Sequence, residues 1–287
     1  MPTVEVKFDI NKMHFNFLII ILLFETSESQ ILGGRDAKEN TAHQVFIEAK
    51  SVDNSYATCG GAIISKDFVL TAAHCVEDYD KREIKVGSGN IDDRKLNFVS
   101  IDEKFVHPGY QNIITTITWT GKKEIIGAND IALLKVAVPF IFDENHQPIG
   151  LFTTGEKVKE GWEVTIYGWG VSGMEPDTAG MPSKKYSNIL QEIKTSIIKQ
   201  SECQKYFKEI LYKTQKCVKY LGTDGVRDAC VGDSGAAIVY EKRIIGVISW
   251  GKSFPECGFN NFPTIFTDIS HYYEWIDGFV QTFKDAK

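Results

Sequence analysis

The sequence predicts an all-β, barrel-like protein closed by a C-terminal helix. Three observations carry this. Short runs rich in Val, Ile, Phe and Tyr recur after residue 30, at 62–64, 68–71, 131–136, 163–167, 237–239 and 244–249. Gly, Asn, Asp and Ser punctuate them, as hairpin turns require. Helical periodicity is confined to two segments. Residues 201–211 read as a short helix. Residues 270–283 begin at Ser270, a capping residue type, and place Tyr273, Ile276 and Val280 at helical spacing. No internal repeat, low-complexity block or Pro-rich linker interrupts the pattern.

The chain has 287 residues, room for about two domain-sized units and a sizeable core. It is 43% hydrophobic and 24% charged, which excludes a mostly disordered or collagen-like chain. Lys and Arg number 32 against 38 Asp and Glu, a net charge of −6. No basic excess exists to hold a polyanion, so nucleic acid is not an expected partner.

Residues 15–24 read FNFLIIILLF, the most apolar stretch of the chain. Ten residues fall short of the roughly 20 a membrane-spanning helix needs. With Lys12 before it and the small residues Ser27 and Ser29 after it, the stretch reads as a secretory signal. Met1 and Met13 both remain candidate starts, and a buried strand or uncleaved anchor is the alternative. Secretion makes the six cysteines disulfide candidates. No C-x₂-C pair argues for a metal, and no N-x-[ST] sequon occurs.

Three segments carry candidate catalytic groups: Leu70-Thr71-Ala72-Ala73-His74-Cys75, Asn129-Asp130-Ile131-Ala132-Leu133-Leu134, and Asp228-Ala229-Cys230-Val231-Gly232-Asp233-Ser234-Gly235. Each alone also fits a structural role: a histidine beside a strand, a turn aspartate, a plain glycine turn. Together they run in the order His, Asp, Ser, one of the known orders for this catalytic set. With Ile31-Leu32-Gly33-Gly34, Cys59-Gly60-Gly61, His107-Pro108-Gly109-Tyr110, Gly168-Trp169-Gly170 and Ser249-Trp250-Gly251, they make the chain resemble the chymotrypsin-fold (trypsin-like) serine proteases. The resemblance runs from residue 31 to about 283.

The resemblance implies two six-stranded antiparallel β-barrels, about 31–142 and 143–287, with a catalytic cleft between them and a C-terminal helix. It implies His74 as general base and acid, Asp130 as the group that orients it, and Ser234 as nucleophile. The main-chain N–H groups of Gly232 and Ser234 become the oxyanion hole. Asp228 becomes the floor of the primary pocket and selects Arg or Lys, with Ser249, Trp250 and Gly251 as its wall. Residues 1–30 become a signal peptide plus a very short propeptide. The freed α-amine of Ile31 then pairs with Asp233. The implied disulfides are Cys59–Cys75, Cys203–Cys217 and Cys230–Cys257. No cofactor or metal is implied. Protein or peptide substrates and protein inhibitors are the implied partners of a secreted, extracellular monomer that does not touch membranes once mature.

Several residues depart from the family pattern. Gln30, not a basic residue, precedes the cleavage point, which argues against tryptic activation. Thr264 stands where trypsins carry Gly and is expected to narrow the pocket. Ala236 replaces a Gly, with strain of roughly 1–3 kcal/mol if its φ is positive. Residues 111–129 contain an insertion of about a dozen residues, expected to overhang the cleft. Asp92 and Asp93 hint at a calcium loop that is too short to assign. The competing class is a non-catalytic serine-protease homologue with a binding, decoy or regulatory role.

Overall fold

The computed structural model describes residues 33–38, 41–111, 127–176, 178, 180–207, 211–222, 227–251, 257 and 262–285. Ile31 and most of the 111–129 insertion lie outside them. Among the described residues, sixteen strands and two α-helices are formed. The first barrel uses β2 (Gln44–Lys50), β3 (Tyr56–Ile63), β4 (Phe68–Thr71), β5 (Ile84–Ser88), β6 (Asn97–Val106) and β7 (Ala132–Val136), closed in the order β2-β3-β4-β7-β6-β5. The second uses β9 (Glu163–Gly168), β12 (Gln191–Ile198), β13 (Gln215–Lys219), β14 (Ala237–Tyr240), β15 (Arg243–Trp250) and β16 (Thr264–Asp268). Its order is β9-β12-β13-β16-β15-β14, and β14 returns to β9. All barrel pairings are antiparallel. Closure removes the unpaired edges that an open sheet would leave.

Period-two alternation explains why these segments are strands. Along β2, Val45, Ile47 and Ala49 are buried while Ile47's neighbours Phe46 and Glu48 are only half-buried. Ile193, Thr195 and Ile197 do the same on β12. Small residues supply the close approaches. A Cβ on Gly61 would lie 3.0 Å from Ile47, Val45 and the Leu70 carbonyl.

The remaining strands brace the barrels. β1 (Arg35–Asp36) pairs with β12, and β8 (Gly150–Leu151) runs parallel to β15. β10 (Val171–Pro176) and β11 (Pro182–Tyr186) form a separate hairpin. The chain ends cross over. β1 lies on the second barrel, whereas the C-terminal helix α2 (Tyr273–Asp285) packs on the first. There, Phe279 and Phe283 meet Phe105 at ring-centroid distances of 4.4 and 5.9 Å, and Trp275 meets His107 at 5.2 Å.

Two helical expectations change. The 201–211 helix contracts to the single turn α1 (Gln200–Cys203). Gln204 competes with helix continuation: its side-chain amide donates to Phe207 O and accepts from Leu211 N. The Cys203–Cys217 disulfide also draws this segment onto β13. The C-terminal helix begins at Tyr273, after a 3₁₀ turn Ile269–His271. Asp268, not Ser270, caps that turn by accepting from Ser270 N at 3.1 Å.

His43 gives a pH dependence of stability. It is buried, and the Gln44 amide donates to its Nε2 at 2.7 Å, so the ring is neutral in the folded state. Burial pushes its pKa from 6.5 down to about 4. The unfolded chain therefore takes up this proton first as pH falls. The stabilisation is complete above about pH 6.5 and lost on descent through pH 4, an effect of roughly 3 kcal/mol. Chemical denaturation at pH 7 and pH 4.5 is expected to show a smaller loss in His43→Gln than in the parent.

Candidate active site

Asp130 is fully buried at the entrance to β7. Asn129 turns the chain there with φ +54°, a left-handed conformation that Asn tolerates better than most residues. Its side chain is fixed on both sides. Tyr272 OH donates to Oδ1 at 2.7 Å, and Nδ2 donates to Gly109 O at 2.6 Å. The Asp130 carboxylate then meets the turn that carries His74, Ala73–Cys75, which the Cys59–Cys75 disulfide ties to β3. His74 N–H donates to Oδ1 at 2.9 Å, and His74 Nδ1 lies 2.8 Å from Oδ2. Ser249 Oγ donates to Oδ2 at 2.5 Å, and Thr267 Oγ1 donates to the Asp130 carbonyl at 3.0 Å.

A carboxylate only accepts, so Nδ1 carries the ring proton and Nε2 is left as the acceptor. Burial pushes the His74 pKa down, and the Asp130 charge and hydrogen bond more than reverse this, leaving it raised. Burial pushes Asp130 up, and His74 and Ser249 outweigh it, leaving Asp130 lowered. Both directions describe one pair in which charge on each partner favours charge on the other.

Ser234 lies on the loop before β14. Gly60 N–H of the first barrel donates to Ser234 O at 2.7 Å. Gly235 has φ +79°, and a Cβ there would collide with Thr71 Oγ1. Gly232 has φ +99°, with Gly170 Cα 3.0 Å from where a Cβ would sit. Among the described residues, no carbonyl accepts from the N–H of Gly232 or Ser234. No hydrogen bond joins Ser234 Oγ to His74 Nε2, which lies 3.7 Å from Cys75 Sγ. His74 and Ser234 nevertheless line one cavity of about 180 Å³. Such bonds often tighten only when substrate is bound. Ala236 is not among the residues with positive φ, so the expected strain does not arise. Gly60 makes room for it, since a Cβ on Gly60 would sit 2.8 Å from Ala236 Cβ.

Asp233 is also fully buried. It accepts N–H from Gly170 and Cys230, both at 2.9 Å. Among the described residues no cation pairs with it. Burial pushes its pKa up to about 7, and the nearby Asp228 charge adds to this.

The cavity is bounded by Ala229, Cys230 and Val231 on one side and by Ile248, Ser249, Trp250 and Gly251 on the other, with Thr264 between. Thr264 Oγ1 donates to Asp228 Oδ1 at 2.6 Å. Among the described residues it is Thr264, not Asp228, that lines the cavity. Gly251 faces Thr264, whose Oγ1 would be 3.4 Å from a Cβ at that position. Cys230–Cys257 and Cys203–Cys217 are formed near this wall. Cys59, His74 and Cys75 cluster closely, but the sulfurs are joined in a disulfide and are not thiolate ligands. The Asp92 carboxylate is taken by Arg94 Nε at 2.8 Å and Lys95 Nζ at 3.2 Å.

Two closed antiparallel barrels meeting at such a cleft form the chymotrypsin fold. Neuropsin, a serine protease expressed in the limbic system of mouse brain, matches with TM-score 0.69 at 24% identity over 87% of this chain and all of that one. The scabies mite inactivated protease paralogue S-I1 matches with TM-score 0.67 at 23% identity, over 87% of this chain and 99% of that one. Sequence relatives agree. Trypsin II-P29 of Gallus gallus is 28% identical over 274 residues, 92% of this chain and 97% of that relative. Vitamin K-dependent protein C of Mus musculus is 31% identical over 231 residues, 77% of this chain but 46% of that longer relative. The family model described as Trypsin matches residues 31–276. The chain belongs to the trypsin family.

Sequence reasoning missed two roles. Ser249 was read as pocket wall, yet its hydroxyl serves Asp130. Gly168 and Gly170 were read only as a motif, yet they leave the space Asp233 occupies. No local signal marks either role, because the partners are 119 and 63 residues away. A Cβ on Gly170 would sit 2.5 Å from Asp233 Cγ. Gly170→Ala is therefore expected to destabilise by about 1–3 kcal/mol. Gly173→Ala, with nothing within 4 Å, should be near neutral. Thermal unfolding of the two variants checks this.

Proposed function

We propose that the protein is a secreted serine endopeptidase that hydrolyses peptide bonds through an acyl-enzyme and prefers Arg or Lys before the scissile bond. The observation that carries this is the buried Asp130 holding His74 Nδ1 at 2.8 Å, with Ser234 across the same cavity. Ser234 Oγ attacks the carbonyl carbon while His74 Nε2 takes its proton. Asp130 stabilises the imidazolium. The N–H groups of Gly232 and Ser234 receive the oxyanion, each worth about 3–4 kcal/mol of barrier. His74 then gives its proton to the leaving amine, leaving Ser234 acylated. Water, deprotonated by His74, attacks the acyl group, and the returning proton restores Ser234.

Processing fits the same reading. Residues 1–30 are removed as signal peptide and short propeptide, leaving 31–287 as the catalytic domain. The new α-amine at Ile31 supplies a cation for Asp233, whose described partners are two main-chain N–H groups. Trypsin relatives support the extracellular setting. No described helix is long and apolar enough to cross a membrane. Protein substrates and protein inhibitors are the partners, and the mature form acts as a monomer.

Specificity rests on Asp228, with Thr264 opposing it. A basic side chain must compete with the Thr264 hydroxyl for the Asp228 carboxylate and pass the threonine methyl group. Peptides varied at the residue before the scissile bond, offered to protein beginning at Ile31, test the whole proposal. Cleavage is expected after Arg and Lys, falling by about 10⁶-fold in Ser234→Ala. Asp228→Ser should erase the basic preference while Ser234 still reacts with a fluorophosphonate. Thr264→Gly should raise kcat/KM for basic substrates by about tenfold, equivalent to one displaced hydrogen bond. Neither cleavage nor labelling of the folded, processed protein would support the non-catalytic class instead.

A further inference from the structure

Lys104 lies on β6 and does not line the cavity. Its Nζ donates to the carbonyls of Val76, Glu77 and Tyr79, each at 2.6 Å. An ammonium has three N–H groups and no acceptor, so these carbonyls saturate it. They converge on one point as they would on a bound cation. The segment that supplies them leaves the His74 turn directly. Val76 N and Glu77 N both donate to Ala73 O, at 3.0 and 2.9 Å. On its other side, β6 pairs with the strand that carries Asp130. Lys104 lies opposite Leu134, and Val106 opposite Ala132, two residues beyond Asp130.

Charge reinforces the geometry. Lys104 faces Glu77, Asp78 and Asp80 from this segment and Glu103 from its own strand. Arg82 pairs with Asp80, and Lys81 with Glu103. Glu77 also feels the Asp130 charge. Lys104 is thus the cation around which this acidic segment closes.

We infer that Lys104 is a positioning residue, a half-buried cation that clamps residues 76–79 and so holds the His74 ring against Asp130. The inference deepens the proposed function, since it takes His74 as the catalytic base. Without Lys104, the Glu77 and Tyr79 carbonyls lose their ammonium partner. The His74 turn loosens with them, and the ring loses part of the Asp130 contact that raises its pKa.

The test uses protein carrying Ser234→Ala, so that the first readout needs no peptidase activity. Nuclear magnetic resonance follows the His74 Nδ1–H signal and the ring titration. Lys104→Ala is expected to broaden the signal and lower the His74 pKa, as the ring loosens from Asp130. n-Propylammonium, which replaces the deleted atoms, should restore both, whereas sodium chloride of equal ionic strength should not. In protein with Ser234 intact, fluorophosphonate labelling should slow by about 10- to 100-fold and recover with the same amine. A folded Lys104→Ala protein with the parent's His74 titration overturns the inference, as does recovery with salt alone. Should Lys104→Ala not fold, Lys104→Gln keeps two N–H donors without the charge. It is expected to lower the His74 pKa, and parental titration in it overturns the inference equally. Failure of the unsubstituted protein to label would defeat the proposed function, while the resonance measurements would still decide the role of Lys104.

Discussion

A carboxylate sealed from water governs how the two barrels fit together. Removing a charge such as Asp130 from solvent carries a penalty of several kcal/mol unless donors replace the water. The donors come from separated parts of the chain. His74 offers its main-chain N–H and its ring from the turn after β4, and Ser249 offers its hydroxyl from β15. Thr267, on the neighbouring β16, holds the Asp130 main chain. Both barrels therefore satisfy the same charge, and neither can shift without exposing it. The fixed ring tautomer follows from this arrangement. The geometry of the Asp130–His74 pair and the docking of the barrels are one constraint.

Asp233 shows what happens when donors are fewer. It is as buried as Asp130, but its described partners are two main-chain N–H groups, with the like charge of Asp228 nearby. Its pKa is pushed up to about 7 where that of Asp130 is lowered. The contrast follows from the imidazole and hydroxyl donors that Asp130 has and Asp233 lacks among the described residues. Gly168 and Gly170 pack against it so closely that side chains there would displace it. The 228–235 loop, which carries Gly232 and Ser234, thus hangs on a group whose ionisation near neutral pH depends on what is brought to it.

The sequence exposed some of this and concealed the rest, for physical reasons. Strands that are buried on one face and bounded by turn residues were legible. The run at 68–71 matches β4, and 163–167 falls within β9. Strands such as β6, which carries Asp102, Glu103 and Lys104, and β13, which carries Lys216 and Lys219, were not. The 201–211 helix failed because a glutamine side chain and a disulfide, neither visible to periodicity, won over propensity. His74, Asp130 and Ser234 were legible because each sits in a local motif. Ser249 as a donor to Asp130 and Lys104 as a three-carbonyl clamp were illegible. Each acts across barrel strands, 119 and 25–28 residues from its partner.

Thr264 holds one oxygen of the carboxylate on which the proposed basic preference rests. Its hydrogen bond to Asp228, at 2.6 Å, pairs a neutral donor with a carboxylate, worth about 1.5–3 kcal/mol. An incoming guanidinium would make stronger, charge-assisted bonds, but it would compete with this one for Oδ1 and have to clear the threonine methyl. An apolar side chain meets Thr264 without disturbing Asp228, so it incurs neither loss. Discrimination is a difference between such terms. On the proposed specificity, the hydroxyl therefore handicaps basic side chains while the charge of Asp228 favours them. The two effects differ by a few kcal/mol, a range in which a single substitution decides the outcome.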